Sequence, residues 1–472
     1  MKGMFTKLSA AAIVASLATV GFKADAQTML ASAVTKKSEV AKKDSAVATA
    51  AAEQLVTGKT QATKAAPEDT SWKPQRRLWG YAFGDEYYAA HAATGAFGKE
   101  TNYAGVPTYR NAFQFRRMYL GYDYDITRKF KAEVLLASEP NANTGTVGAT
   151  TTVSGGNTAT TTVSAQNGDN LVDGKMGFWI KNFNLRVRDL WNGTDFVIGE
   201  MGTPGFALNE PGTNGPSTLS ESEWGYRSIE KTITDIHKNN SYDVGASLQG
   251  TFDPQTKNFG YVIMVSNNTT SSLLSAGNPN TGFYKIFYGD IWGKFLNDHL
   301  HVDIYGHYAK TGAPTATVGD QSNHMLKIFA DYRTKPLSVG VEAYTQTFEN
   351  GVTNKATGLA ANPTVTGLSV WAKGAIVKNL NYFARFDTYN PYGDYDNTAT
   401  YTINTNYGSY DPSFKEKFYT AGLDFNPTKN VHFMPNLWLM DFNDQRAATA
   451  AGFAKADHTA IYRFTFYFTF GK

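Results

Sequence analysis

Two adjacent arginines, Arg116 and Arg117 in FQFRRMYLGYDYD (113–125), carry the plainest chemistry in the chain. A guanidinium is a rigid fork of donors suited to carboxylate and phosphate oxygens. Phe113 and Phe115 lie on one parity and Met118, Leu120 and Tyr122 on the other, so the alternation switches at the arginine pair. A regular strand would send the two side chains to opposite faces, whereas a β-bulge would aim both at one face. Their competing role is to salt-bridge acids on that same face. Further along, Arg227 and Lys231 stand close to Glu221, Glu223 and Glu230, a set able to impose a transverse field on a passing polar solute.

Other combinations offer less. His299, His301, Asp303 and His307 share one parity, but a third ligand at a suitable angle is not evident, and they read as wall residues. Asp394, Asp396 and Asn397 in GDYDNT read as a polar surface turn in preference to a calcium loop. LVTGKT has Glu53 where a phosphate loop requires glycine, and neither G-x-S-x-G nor H-E-x-x-H occurs. No catalytic residue, cofactor or metal is therefore expected. The absence of cysteine rules out disulfide staples and thiolate sites.

What must position these residues follows from patterning. The chain is 42% hydrophobic and 14% aromatic, with 43 glycines, and no window past the N-terminus holds the roughly 18 apolar residues of a membrane helix. A large soluble all-β protein and a membrane β-barrel remain, because in a barrel only alternate residues meet lipid. Alternating aromatic-rich stretches recur from Trp72 onward, and they predict sixteen strands: 76–90, 112–126, 129–139, 175–189, 194–201, 241–253, 258–267, 282–296, 299–310, 323–334, 337–348, 366–377, 379–389, 415–425, 430–441 and 457–470. Seven connections are tight and the eight others are long and rich in Gly, Asn, Thr and Pro. Short turns on one rim and long loops on the other are the mark of an all-β, sixteen-stranded antiparallel transmembrane β-barrel with short periplasmic turns and long extracellular loops.

The faces agree. In the last stretch, HTAIYRFTFYFTFGK, Ala460, Tyr462, Phe464, Phe466, Phe468 and Phe470 form a lipid-facing series, and the backbone is expected to pair with the first strand. Tyr242, Val244, Ala246 and Leu248 alternate likewise with Asp243, Gly245, Ser247 and Gln249. Parity places Arg117, Arg186, Arg188, Lys327, Arg333, Lys373, Arg385 and Arg463 inward, together with Asp123, Asp243, Asp303, Asp331, Glu342, Asp387 and Asp424. Eight cations against seven acids make no anion ladder.

Residues 1–26 read as a signal peptide: Lys2 and Lys7, a short apolar run, then Ala24-Asp25-Ala26. Its removal would take three positive charges and one negative, lowering the formal charge from +3 to +1 and giving no reason to expect nucleic acid as a partner. Residues 27–71 are Ala/Lys-rich, without aromatics after the cleavage site, and read as a mobile or partly helical periplasmic segment ahead of the barrel at 72–472.

FQFRRMYLGYDYD, then VIGEMGTPGF (197–206), then EWGYRSIEKTITD and DVGASLQG (223–250) together resemble the phosphate-selective porin O/P family. The likeness covers roughly residues 110 to 250 and beyond them thins to general barrel patterning. It implies a trimeric porin in the outer membrane of a Gram-negative bacterium, passing small hydrophilic solutes or inorganic anions, with the third extracellular loop folded inward. Residues 202–240 are the third long connection, and Ile229, Ile233 and Ile236 at helical spacing are consistent with a short helix inside the barrel. Further expected partners are outer-membrane lipid and the barrel-assembly machinery, engaged through the C-terminal strand. The chain departs from many proteobacterial porins in ending with Gly471-Lys472. The alternative function is a surface-binding barrel, with Tyr392, Tyr395, Tyr401 and Tyr407 of the seventh loop as anchors.

Overall fold

The structure, a computed structural model, describes residues 72–93, 107–138, 144–153, 157–166, 178–207, 232–237, 241–268, 284–315, 318–404, 406–407, 412–445 and 457–471. The expected signal peptide and the segment 27–71 lie outside the described residues.

In chain order the strands are β1 (Arg76–His91), β2 (Asn111–Asp125), β3 (Phe130–Ser138), β4 (Thr144–Val153), β5 (Asn157–Gln166), β6 (Trp179–Trp191) and β7 (Thr194–Gly202). Two one-turn helices follow, α1 (Pro204–Ala207) and α2 (Ile233–Ile236). Then come β8 (Tyr242–Thr251), β9 (Phe259–Ser266), β10 (Ile286–Phe295), β11 (Leu300–Thr315), β12 (Gly319–Arg333), β13 (Ser338–Glu349), β14 (Val352–Asn354) and β15 (Ala360–Ala361). The last six are β16 (Thr364–Val377), β17 (Leu380–Asn390), β18 (Tyr401–Ile403), β19 (Phe414–Thr428), β20 (Val431–Asp444) and β21 (His458–Phe470).

Sixteen of these form one closed antiparallel barrel in the order β1-β2-β3-β6-β7-β8-β9-β10-β11-β12-β13-β16-β17-β19-β20-β21. Each predicted strand has its counterpart, displaced by a few residues at most of its ends. Alternation is the cause. In β13 the buried and exposed positions alternate as Ser338 in, Val339 out, Gly340 in, Val341 out, and β10 exposes Phe287 and Ile291 while burying Tyr288, Asp290 and Trp292. A closed sheet leaves no unpaired edge in hydrocarbon, so the backbone groups of the ladder find their partners within the wall.

Closure rests on the C-terminal stretch. β21 pairs with β1 from Gly80↔Phe470 to His91↔Ala460. Tyr462, Phe464 and Phe468 are exposed outward, and Ile461, Arg463 and Thr465 are buried. Gly84 permits the fit: a Cβ there would lie 2.6 Å from the Phe466 ring and 2.4 Å from the Gln114 carbonyl oxygen. On the inner side Trp371 lies flat against Gly340 of β13, where a Cβ would meet the indole at 2.4 Å.

Three details differ from the patterning. Tyr242, expected on the lipid side, is buried among Tyr119, Leu135 and Ala137, with Lys181 Nζ 5.0 Å from its ring. The alternation fails there because β8 begins with Tyr242 and Asp243 both buried. His299 lies exposed before β11, outside the face it was expected to share, and its Nδ1 is 2.7 Å from the Arg333 carbonyl oxygen. The long connections also hold two small sheets, the hairpin β4-β5 and the three-stranded β15-β14-β18, neither of which was predicted. Their Thr, Asn and Gly composition carries no apolar alternation to read.

Candidate functional site

The arginine pair sits at an irregularity of the wall. Phe83 of β1 pairs with Arg117 and the next residue, Gly84, with Phe115, so Arg116 is the extra residue of a β-bulge. Both side chains are buried, Arg116 completely. Arg116 Nη1 lies 2.9 Å from Asp85 Oδ2, and its guanidinium stands over Trp438 at 5.4 Å. The Arg117 guanidinium rests over Tyr119 at 5.4 Å and Phe83 at 5.9 Å. Across the closure, Arg463 donates from Nε and Nη2 to Asn436 Oδ1 at 2.9 and 2.7 Å and covers Trp438 at 4.0 Å. Thr465 Oγ1 donates to Asp85 Oδ1 at 2.5 Å, which joins β1, β2, β20 and β21 in one polar cluster.

The remaining basic residues on this side are held in the same manner. Arg385 donates twice to Asp387, at 2.8 and 2.5 Å, because i and i+2 share a strand face. Arg186 reaches Glu133 at 3.4 Å, Asp195 at 3.2 Å and Gln249 at 3.0 Å, and Arg188 reaches Asp125 at 2.5 Å. A second irregularity, between Leu135 and Leu136 of β3, skips Lys181 of β6 and turns it inward, where its Nζ donates to the Tyr119 hydroxyl at 2.6 Å. That bulge has a signal in the sequence: Ile180 and Phe183, both outward, break the period of two.

Farther round the ring, from β7 to β13, the inner face is acidic. Glu200 of β7, Asp243 of β8, Asp290 of β10, Asp303 of β11, Asp331 of β12 and Glu342 of β13 are all buried. Asp290 pairs with Tyr305 and Asp303 with Trp292, so the two carboxyls are diagonal neighbours across β10-β11. Asp243 accepts from Ser266 Oγ at 2.5 Å and Tyr288 OH at 3.4 Å. Asp331 takes Arg333 and, at 3.2 Å, His301 Nδ1. Lys327 is the cation set deep among these acids, and its Nζ donates to the Gly205 carbonyl oxygen at 2.6 Å.

That last bond ties α1 to the wall. The far end of the same connection is tied as well. Thr232 caps α2 by accepting from Asp235 N at 3.2 Å, Ile233 is fully buried, and Thr234 Oγ1 donates to Glu342 Oε1 at 3.1 Å. The His237 ring stacks on Tyr389 of β17 at 3.4 Å and 3°. Both described ends of 202–240 therefore lie against inward-facing residues. Glu221, Glu223, Arg227, Ile229, Glu230 and Lys231 lie outside the described residues.

Above the wall, β14, β15 and β18 are built from the connections after β13 and β17. Val352 and Tyr407 are fully buried, and Tyr407 meets Phe348 edge-on at 5.1 Å and donates to the Pro391 carbonyl oxygen at 2.7 Å. Tyr392, Tyr395 and Tyr401 pack on one another with centroids 5.6–6.2 Å apart. Burial, with Tyr401 alongside, pushes the Tyr392 phenol up. Asp396 accepts from Thr398 N at 2.8 Å and Thr398 Oγ1 at 2.7 Å, an Asx turn.

Sequence reasoning missed Asp85, Asn436, Trp438, Lys181, Glu200 and Asp290 in this setting. Asp85 and Thr465 are 380 positions apart, and only closure brings them together.

No family model matches the chain, and no curated protein matches it. Solved structures do match. The outer membrane channel DcaP of Acinetobacter baumannii has a TM-score of 0.50 at 10% identity, over 84% of this chain and 97% of that one. OprB of Pseudomonas putida, in its high-pH structure, has a TM-score of 0.48 at 10% identity, over 84% and 94%. OmpF of Salmonella typhi, in complex with daunomycin, has 0.46 at 12%, over 83% and 97%. At such identities the likeness is one of fold alone: this chain shares the barrel architecture of the DcaP channel.

Proposed function

We propose that this chain is a passive diffusion channel for small hydrophilic solutes in the outer membrane of a Gram-negative bacterium. The observation that carries the reading is the opposition of charge within a closed barrel. In a ring of sixteen strands, β21 lies eight places from β10, β1 from β11 and β2 from β12. Arg463, Arg116 and Arg117 are thus set across the ring from the β10-β11 pair Asp290 and Asp303, while the outer face is apolar. A field across the lumen orients dipolar and zwitterionic solutes and offers counter-charges to both ends of each.

A modest preference for anions such as phosphate, as the resemblance to phosphate-selective porins implies, would originate in Arg116, Arg117 and Arg463. Residues 202–240 would narrow the lumen, since Lys327, Glu342 and Tyr389 hold their two ends. A trimer is the assembly that the same resemblance implies, with chemical cross-linking in membranes as its check. The loop tyrosines favour the channel over a surface binder, because Tyr392 and Tyr407 are spent on internal packing.

The test is conductance of the refolded protein in a planar bilayer, with reversal potential under a salt gradient and titrated phosphate. Stepwise conductance is expected. A silent bilayer with insertion independently verified would sink the channel. Conductance without block by phosphate would leave a general porin and remove the anion preference.

A further inference from the structure

The barrel closes at its outer rim beside three metal-ligand side chains that the channel reading does not use. His91 ends β1, and Asp457 and His458 lead into β21. His91 Nε2 lies 2.8 Å from Asp457 Oδ2, and His458 Nδ1 lies 3.6 Å from the same oxygen. The two imidazoles stack with centroids 4.2 Å apart and 25° between planes. One ligand atom from each residue falls within a sphere of mutual distances no greater than 4.8 Å.

The backbone presents these donors. His91 pairs with Ala460 across β1-β21, His458 pairs with Asp441 across β20-β21, and Phe442 N donates to the Asp457 carbonyl oxygen at 2.8 Å. Each ligand is therefore in, or next to, a paired strand. Nitrogen and oxygen ligands about 2.0 Å from a tetrahedral zinc ion stand roughly 3.3 Å from one another. The two His–Asp separations of 2.8 and 3.6 Å lie on either side of that value, whereas the stacked rings, 25° from parallel, must turn about their Cβ–Cγ bonds for both nitrogens to face one ion. Two imidazoles and one carboxylate suit late first-row ions and not calcium or magnesium, which take oxygen ligands. Side-chain exposures of 37%, 56% and 44% leave the cluster open to the medium and a fourth position for water.

We propose that His91, Asp457 and His458 bind a divalent zinc-like ion at the extracellular rim and clasp the first strand to the last. The ion exchanges the His91–Asp457 hydrogen bond for three coordinate bonds that span the closure. Sequence alone hides the site, since 366 positions separate His91 from Asp457.

The experiment is calorimetric titration of zinc chloride into the full refolded protein in detergent, with cobalt(II) as an optical probe. One equivalent is expected to bind, with cobalt giving the visible bands of a tetrahedral site. H458Q and D457N should each weaken binding by about 10- to 100-fold or more, as even a supporting group does at metal sites. H307Q, in the wall, should leave it unchanged. Zinc should also raise the unfolding midpoint of the wild type and not that of H458Q. H91Q joins the set if heat-modifiable migration shows it folded; H458Q and D457N carry the test without it. Binding that survives in the H458Q/D457N double variant, or no binding up to millimolar zinc, overturns the proposal.

Discussion

The arginine cluster of β1, β2, β20 and β21 and the carboxyl group of β7 to β13 are both buried inner walls, yet they are stabilised differently. Most guanidiniums in and beside the cluster have a polar counterpart, Asp85 for Arg116, Asn436 for Arg463, Asp387 for Arg385, Glu133 and Asp195 for Arg186, while Arg117 rests on the rings of Tyr119 and Phe83. Apart from Asp331, which holds Arg333 and His301, the carboxyls lean on hydroxyls and on Lys327, as Asp243 does on Ser266 and Glu342 on Thr234. One wall is a set of closed pairs. The other concentrates like charge. Pairs resist loss of a partner badly, whereas crowded like charges lose repulsion when one is neutralised.

The largest effect expected follows from that difference. Asp85→Ala leaves Arg116 buried without its counter-ion and should cost about 3–5 kcal/mol, read as a lower urea midpoint for the folded barrel. Asp303→Asn, equally buried but beside Asp290, should leave the midpoint unchanged or raise it. If both variants fall alike, the contrast between the walls fails. As a control outside both walls, Tyr407→Ala removes a fully buried ring from the cap and should cost locally about 3 kcal/mol. Limited proteolysis would then cut near 391–413 while barrel strands stay protected.

Ion selectivity sharpens the comparison from the functional side. Arg117→Ala should move the reversal potential toward cations and Glu342→Gln toward anions, each by roughly two- to threefold in permeability ratio, since salt at about 0.1 M screens most of one charge. Shifts of the same sign would mean that the two walls do not act as opposite poles.

The smallest effect lies in the turn between β8 and β9. Burial alone would raise the Asp253 carboxyl, but the Thr256 hydroxyl and the N–H groups of Asn258 and Phe259 hold it below the usual range. A depressed folded value means that its contribution is present above the ordinary 3.8 and is lost as pH falls through the lower folded value. Asp253→Ala should therefore cost at most about 1 kcal/mol near neutral pH, after solvent screening, and nothing in strong acid. Unfolding midpoints at the two pH values check this.

Much of the barrel is legible along the chain because lipid imposes one rule on alternate residues. Phe287 and Ile291, or Val339 and Val341, declare their faces without any knowledge of partners. The bulge at Arg116 was readable for the same reason, as a break in a period of two. Lys181 carried an equivalent break. Tyr242 misled because, at the end of a strand, neighbours and not parity decided its surroundings.

Composition and alternation by themselves determined the sixteen strands, their order of short and long connections and, away from bulges and strand ends, which side chains point inward. These are local properties, set by which solvent each residue meets. Tertiary structure alone decided that Asp85 answers Arg116, that Asp290 and Asp303 become neighbours, that the loop tyrosines form a cap and that His91 meets Asp457. Such pairings depend on strand register and, for His91 and Asp457 at 366 positions, on closure of the barrel, and no local period records them.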